Sequence, residues 1–300
     1  MQITEQMFSD LIGARVSSPA RVAAALSERK RRAELAPDGV LFVVAADHPA
    51  RGALAAGRDA LAMADRRDLL RRLAVALANP RVDGVLASAD ILDDLAFFGF
   101  LDDRLAIGTM NRGGLAGARW GMDDRMTAYD AAHLEELGLD GGKVLLRLDD
   151  EDPHTAATIE ACARAVTELA DRRLMAMIEP LAYTKDADGM PVHDNRPESL
   201  IRAAAVASGL GASSAYTWLK VSSGERVAEV MGASTCPAVV LGGAVSSDQA
   251  SAFAGWERAL SHPHCRGLVI GRSLLYPPDG DVEAGVAAAA KLVDAKARTL

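Results

Sequence analysis

Eight short apolar segments, each followed by an alanine-rich amphipathic stretch, recur along the chain, and this alternation constrains the fold more than any other feature. They are Val40–Ala46, Gly84–Ala87, Leu105–Thr109, Val144–Leu148, Leu174–Ile178, Thr217–Val221, Ala238–Leu241 and Gly267–Ile270. Runs that are apolar throughout read as strands covered on both faces, and strand–helix alternation joins such strands in parallel through crossover helices. Eight units predict an α/β fold closed on itself, a (β/α)8 TIM barrel, as a single domain. An open doubly wound sheet is the competing architecture, but the glycine-rich turn that opens its first helix is missing after Val40–Ala46.

Residues 1–38 read as a helical extension of one or two amphipathic helices, and residues 39–300 as the barrel, closed by a helix over Asp281–Leu300. The segment Ala182–Pro197 is polar and punctuated by Gly189, Pro191 and Pro197. It reads as a long loop after the fifth barrel strand, on the face where barrels carry substrate contacts.

Charge and composition narrow the partners. Against 41 acidic residues stand 33 Lys and Arg, a net charge of −8, so no broad basic surface offers itself to nucleic acid. Any anionic ligand must meet a local positive site. The longest apolar runs fall well short of the roughly 18 residues of a membrane span, and the start Met1-Gln2-Ile3-Thr4-Glu5 lacks a signal-peptide pattern, so a cytoplasmic protein without membrane partners is expected. Cys162, Cys236 and Cys265 are odd in number and lack metal-ligand spacing. They read as small core residues, and neither a metal nor another cofactor is expected. The alanine-rich outer helices suit either self-association into a homo-oligomer or ordinary helix-on-sheet packing.

Functional groups of a barrel come from the C-terminal ends of its strands. Lys220, one of six lysines in 300 residues, sits inside the apolar run Tyr216-Thr217-Trp218-Leu219-Lys220-Val221. Strand period two puts Trp218, Lys220 and Ser222 on one face and Leu219 and Val221 on the other, so the lysine points into the barrel and Ser222 approaches the mouth. A lysine snorkelling from an edge strand is the plainer alternative. To attack a carbonyl, an amine with a reference pKa of about 10.4 must be depressed by burial or by a second cation, and Lys143 or Arg147 on the fourth strand is placed to supply one. Glu179, against Pro180 at the end of the fifth strand, is suited to proton transfer, with a rim salt bridge as its alternative role. Asp47 ends an apolar strand and needs an ionised partner within the barrel, and His48 reaches the same mouth. Gly242-Gly243 and Gly271-Arg272 follow the seventh and eighth strands, where barrels hold phosphate on backbone N–H groups, and Arg272 adds a matching fork of donors.

The pieces Ala46-Asp47-His48-Pro49-Ala50-Arg51-Gly52, Gly142-Lys143-Val144-Leu145-Leu146, Ile178-Glu179-Pro180-Leu181-Ala182-Tyr183, Trp218-Leu219-Lys220-Val221, Gly242-Gly243-Ala244-Val245-Ser246 and Gly271-Arg272-Ser273 occur in this order between Phe42 and Tyr276. In them the chain resembles the metal-independent class I aldolases of the tagatose-bisphosphate and sulfofructose-phosphate type, with DhnA-type aldolases more distant. It is also similar to aldolase-like barrels found with actinobacterial inositol-degradation enzymes. The resemblance implies a carbon–carbon lyase in which Lys220 forms the imine, Glu179 moves protons, Asp47 and Lys143 support them, and Arg272 binds phosphate. Its implied substrate is a phosphorylated ketose or keto acid, foremost 5-dehydro-2-deoxygluconate 6-phosphate. The family pattern places a glutamine and then arginine-glycine directly after the aspartate; here His48-Pro49-Ala50 intervenes, so the donors facing the substrate differ. Deoxyribose-phosphate aldolases place a second lysine on the seventh strand, and Pro237-Ala238-Val239-Val240-Leu241-Gly242 has none. A barrel that binds a sugar phosphate without catalysis remains the reading of a different class.

Overall fold

The computed structural model describes residues 2–111, 115–118, 123–243, 245 and 248–300, which leaves Ala244 and Ser246 of the quoted pieces, and Met1, outside the described residues. Eight parallel strands close into a barrel: β1 (Leu41–Ala45), β2 (Gly84–Ala87), β3 (Leu105–Thr109), β4 (Gly141–Leu148), β5 (Met175–Lys185), β7 (Thr217–Val221), β8 (Ala238–Leu241) and β9 (Cys265–Ile270). Each pairs with its sequence neighbour in the ring, β4 with β5 and β9 with β1 completing the circle. The short strand β6 (Pro191–His193) runs antiparallel to the end of β5.

The expected barrel is therefore present, and the reason lies in the strands themselves. Successive residues bury in opposite directions: Leu41, Val43 and Ala45 join Ile107, Met177, Val239 and Val269 in an interior apolar cluster, while Phe42, Val44, Ile178, Leu219 and Val221 pack outward under the helices. Two helices, Glu5–Ser17 and Pro19–Glu28, precede β1, and Val282–Ala297 follows the last strand. Leu35 and Ala36, between the second helix and β1, pack against the interior cluster from the bottom of the barrel. Nearby, Arg29 meets Asp140 at 3.0 Å and Arg32 meets Asp83 at 2.6 Å. Both carboxylates also accept strand N–H groups, Asp140 from Ala106 and Asp83 from Phe42, so these ion pairs hold the chain entry against strand starts.

Cys162, Cys236 and Cys265 are buried free thiols, as small core residues should be. No helix among the described residues is long and apolar enough to cross a membrane. One expectation is corrected: Ala182–Pro197 is not a loop throughout. Strand β5 runs on to Lys185 and returns as β6, with Tyr183 opposite His193 and Lys185 opposite Pro191. The turn between them is closed by the Gly189 N–H donating to the Asp186 carbonyl, and Gly189 takes a φ of +75° that suits glycine.

Candidate active site

Register brings four charged side chains together inside the barrel. Lys143 on β4 lies opposite Met177 on β5, Leu145 lies opposite Glu179, and Ile178 lies opposite Leu219 on β7. Glu179 and Lys220 thus stand one step further along neighbouring strands, both turned inward, with Lys143 one layer deeper. Asp47 enters from the turn after β1, whose 3-10 helix spans His48–Arg51.

One carboxylate joins the two amines. The Lys143 Nζ lies 2.5 Å from Glu179 Oε2, and the Lys220 Nζ lies 3.3 Å from Glu179 Oε1. Lys143 also reaches Asp47 Oδ2 at 3.4 Å, and His48 Nδ1 stands 3.9 Å from Asp47 Oδ1. Lys143 and Asp47 are sealed, at 0 % and 1 % side-chain exposure, whereas Glu179 and Lys220 border a pocket. Two carboxylates balance two ammonium ions, which is how so many charges are tolerated in an interior. A proton passing from Lys220 to Glu179 would leave both groups neutral and the Asp47–Lys143 pair still balanced. The arrangement can thus interconvert a charged and a nucleophilic amine without stranding a buried charge.

The pocket has a volume of about 270 Å³ and opens at the C-terminal ends of the strands. His48, Glu179, Lys220, Ser222, Gly242, Gly243, Gly271 and Arg272 line it, eight of the residues singled out from the sequence. The two glycine turns meet: the Ser273 hydroxyl donates to the Gly242 carbonyl at 3.2 Å, and Gly243 adopts a φ of +68°. Gly271 permits a close approach, since a Cβ there would press on the Ala45 carbonyl oxygen and lie 2.8 Å from His48 Cε1. Gly271→Ala should therefore cost about 1–3 kcal/mol in urea unfolding. A variant as stable as the parent would show that this backbone shifts freely.

Arg147 is not a lining residue of this pocket. Its guanidinium makes a two-pronged pair with the buried Asp124, with Nε at 2.9 Å from Oδ2, and its Cζ lies 5.2 Å above the Tyr183 ring. Burial outweighs the arginine and pushes the Asp124 carboxyl above its ordinary range. Of the two cations considered as neighbours for Lys220, Lys143 is the one sharing its carboxylate. Arg51, His193 and Asn195 also line the pocket and were not singled out from the sequence. Burial and the surrounding arginines, Arg51 first among them, lower the His193 pKa below its usual value. Among the described residues, no group of three or more His, Cys, Asp or Glu is arranged to hold a metal ion.

A family model described as Cgl0159-like matches residues 39–290. The crystal structure of Cgl0159 from Corynebacterium glutamicum shares 47 % identity with this chain and superposes with a TM-score of 0.94, covering 98 % of each chain. An archaeal fructose 1,6-bisphosphate aldolase superposes at 0.66 with 18 % identity, over 86 % of this chain and 95 % of that one. A structure of an archaeal fructose-1,6-bisphosphate aldolase with its catalytic Lys covalently bound to the carbinolamine intermediate gives 0.66 and 18 %, over 86 % and 96 %. These two aldolases share the barrel. Among curated protein sequences none matches. Matched over most of its length and nearly half identical to the C. glutamicum protein, the chain belongs to the Cgl0159-like family.

Proposed function

We propose that the protein is a class I aldolase that cleaves a phosphorylated ketose or keto acid through an imine on Lys220. The observation that carries the reading is the Glu179 carboxylate shared by Lys143 and Lys220 at the edge of a pocket that also holds Gly243 and Arg272. The archaeal aldolase captured with a carbinolamine on its catalytic lysine has the same fold and supports it.

Lys220 gives a proton to Glu179 and adds to the keto carbon. Glu179 returns the proton to the carbinolamine hydroxyl, which leaves as water and yields an iminium ion. Glu179, again a carboxylate, takes the hydroxyl proton as the carbon–carbon bond breaks, and the electron pair moves into an enamine. Reprotonation and hydrolysis release the second product. Phosphate held by backbone N–H groups near Gly243 and by Arg272 fixes the ketone over the amine, so remote binding energy serves the chemical step. Lys143 and Asp47 keep Glu179 oriented.

For the substrate we favour 5-dehydro-2-deoxygluconate 6-phosphate, cleaved to dihydroxyacetone phosphate and malonate semialdehyde. This would place the protein, in the cytoplasm, in inositol breakdown. Arg51 and Arg272 in one pocket of an acidic protein suit a substrate anionic at both ends. The test is a panel of 5-dehydro-2-deoxygluconate 6-phosphate, the phosphorylated ketoses tagatose, fructose and sulfofructose phosphate, and the aldose deoxyribose phosphate, assayed for triose-phosphate release and for borohydride trapping. The expected result is a reduced adduct on the peptide carrying Lys220. Phosphate binding without any adduct would replace the aldolase by a non-catalytic sugar-phosphate receptor.

A further inference from the structure

The β5–β6 hairpin carries chemistry that the imine mechanism leaves unused. His193 lines the same pocket as Lys220 and Glu179, yet comes from the short antiparallel strand rather than from a barrel strand. Its ring is held from behind. The Tyr183 hydroxyl lies 3.1 Å from His193 Nε2, and the two rings meet at a tilt of 43° with centroids 4.4 Å apart. The Arg147 guanidinium in turn lies over the Tyr183 ring, 5.2 Å from its centroid, and is fixed by the buried Asp124 on the segment following β3. A chain of contacts, Asp124 to Arg147 to Tyr183 to His193, therefore spans the mouth from one loop to another.

Hydrogen-bond bookkeeping along this chain fixes the imidazole. A buried hydroxyl that kept its proton unpaired would cost more than one that leaves a lone pair unfilled. The buried tyrosine must then place its own proton on an acceptor, and His193 Nε2 is the acceptor recorded within reach. A neutral imidazole that accepts at Nε2 carries its proton at Nδ1. Burial and the nearby arginines, which lower the pKa of His193, favour that neutral form.

We infer that His193, held by Tyr183 in the Nδ1–H tautomer, is a specificity-determining residue that donates a hydrogen bond to the part of the substrate beyond the scissile bond, with Tyr183, Arg147 and Asp124 as positioning residues. Phosphate and ketone are engaged by the glycine turns, Arg272 and Lys220, so the contact left to the hairpin is with the departing fragment. The group recognised there is an acceptor oxygen, of a hydroxyl or a carboxylate. This rests on the aldolase reading.

The experiment compares two measurements on the same enzyme preparations. Borohydride trapping of dihydroxyacetone phosphate reports imine formation with a molecule lacking the departing fragment, and kcat/KM for the panel ketose cleaved fastest by the wild type reports the complete substrate. The ratio of cleavage to trapping should fall about 10- to 100-fold in His193→Ala, the loss expected for one donor to an otherwise unpaired polar group. His193→Asn, which restores an N–H near the Nδ1 position, should recover part of it. Tyr183→Phe, which keeps the ring but removes the hydroxyl, should fall between, chiefly through KM. Melting curves exclude misfolding, and the half-exposed hairpin leaves the barrel core untouched. An unchanged ratio in His193→Ala, or equal loss of trapping and cleavage, overturns the inference while leaving the aldolase standing. Failure of the wild type to trap any ketose overturns both.

Discussion

Lys220→Ala should leave no borohydride-trapped adduct and lower carbon–carbon cleavage by about 10⁴-fold or more, the scale on which removal of a covalent nucleophile acts. The variant should nonetheless fold. Lys220 has one carboxylate partner in the site, Glu179 at 3.3 Å, and Glu179 keeps Lys143 at 2.5 Å when Lys220 is gone. No carboxylate is stranded, and the stability loss should stay within about 2 kcal/mol, the range for a hydrogen bond to a charged group. Lys220→Arg sharpens the comparison. A guanidinium preserves the charge beside Glu179 but cannot be deprotonated in a protein, so this variant should be equally inactive while more stable than Lys220→Ala. Mass spectrometry of the borohydride-treated peptides and steady-state kinetics check both. Retention of kcat within tenfold in either variant would remove Lys220 from the chemistry.

The part of this site that was legible in the sequence is the part governed by local periodicity. Alternation across Thr217–Val221 tells which way Lys220 points, because a strand sends successive side chains to opposite faces and its neighbours Leu219 and Val221 needed the helices. The glycine turns after β8 and β9 announce themselves for the same reason, being fixed by where their strands end. Closure of the barrel is different. That Lys143 lies beneath Glu179, and that Asp47 crosses from β1 to meet it, depends on the stagger of strands far apart in the chain. Asp124 illustrates the limit: it is the buried partner of Arg147, 23 positions away, and lies in an irregular segment where no period marks it.

The hairpin was missed for another reason. Tyr183-Thr184-Lys185 and Pro191-Val192-His193 are too short and too polar to read as strands, and two prolines argued for a loop. A signal was present, since Asp186-Ala187-Asp188-Gly189 is turn chemistry between two segments of β-forming residues. Pro191 is tolerated because β6 pairs with β5 and, among the described residues, lies at the edge of the sheet. Recognising the hairpin would have brought Tyr183 and His193, directly opposite each other, into the candidate site.

Lys143→Met should destabilise the fold far more than Lys220→Ala, although the two lysines are separated by a single carboxylate. Lys143 is fully buried and serves two acids, Glu179 at 2.5 Å and Asp47 at 3.4 Å. Methionine fills much of the same volume, so the cost is mainly electrostatic: two carboxylates face each other in the interior with their shared cation removed. Breaking a buried pair in this way costs about 3–5 kcal/mol. Lys220 can still compensate Glu179, which it meets at 3.3 Å, whereas Asp47 is the more deeply buried acid, with His48 Nδ1 at 3.9 Å. Adding Asp47→Asn to Lys143→Met should recover about 1–2 kcal/mol of the loss, because neutralising the more deeply buried of the two acids removes the larger desolvation penalty, whereas adding Glu179→Gln should recover less. Urea unfolding of the two single and two double variants measures this ordering as coupling energies. A loss below about 1 kcal/mol for Lys143→Met alone would mean that water or a proton already compensates these acids in the native protein, and the balanced quartet would then no longer support the proton transfer proposed for Lys220.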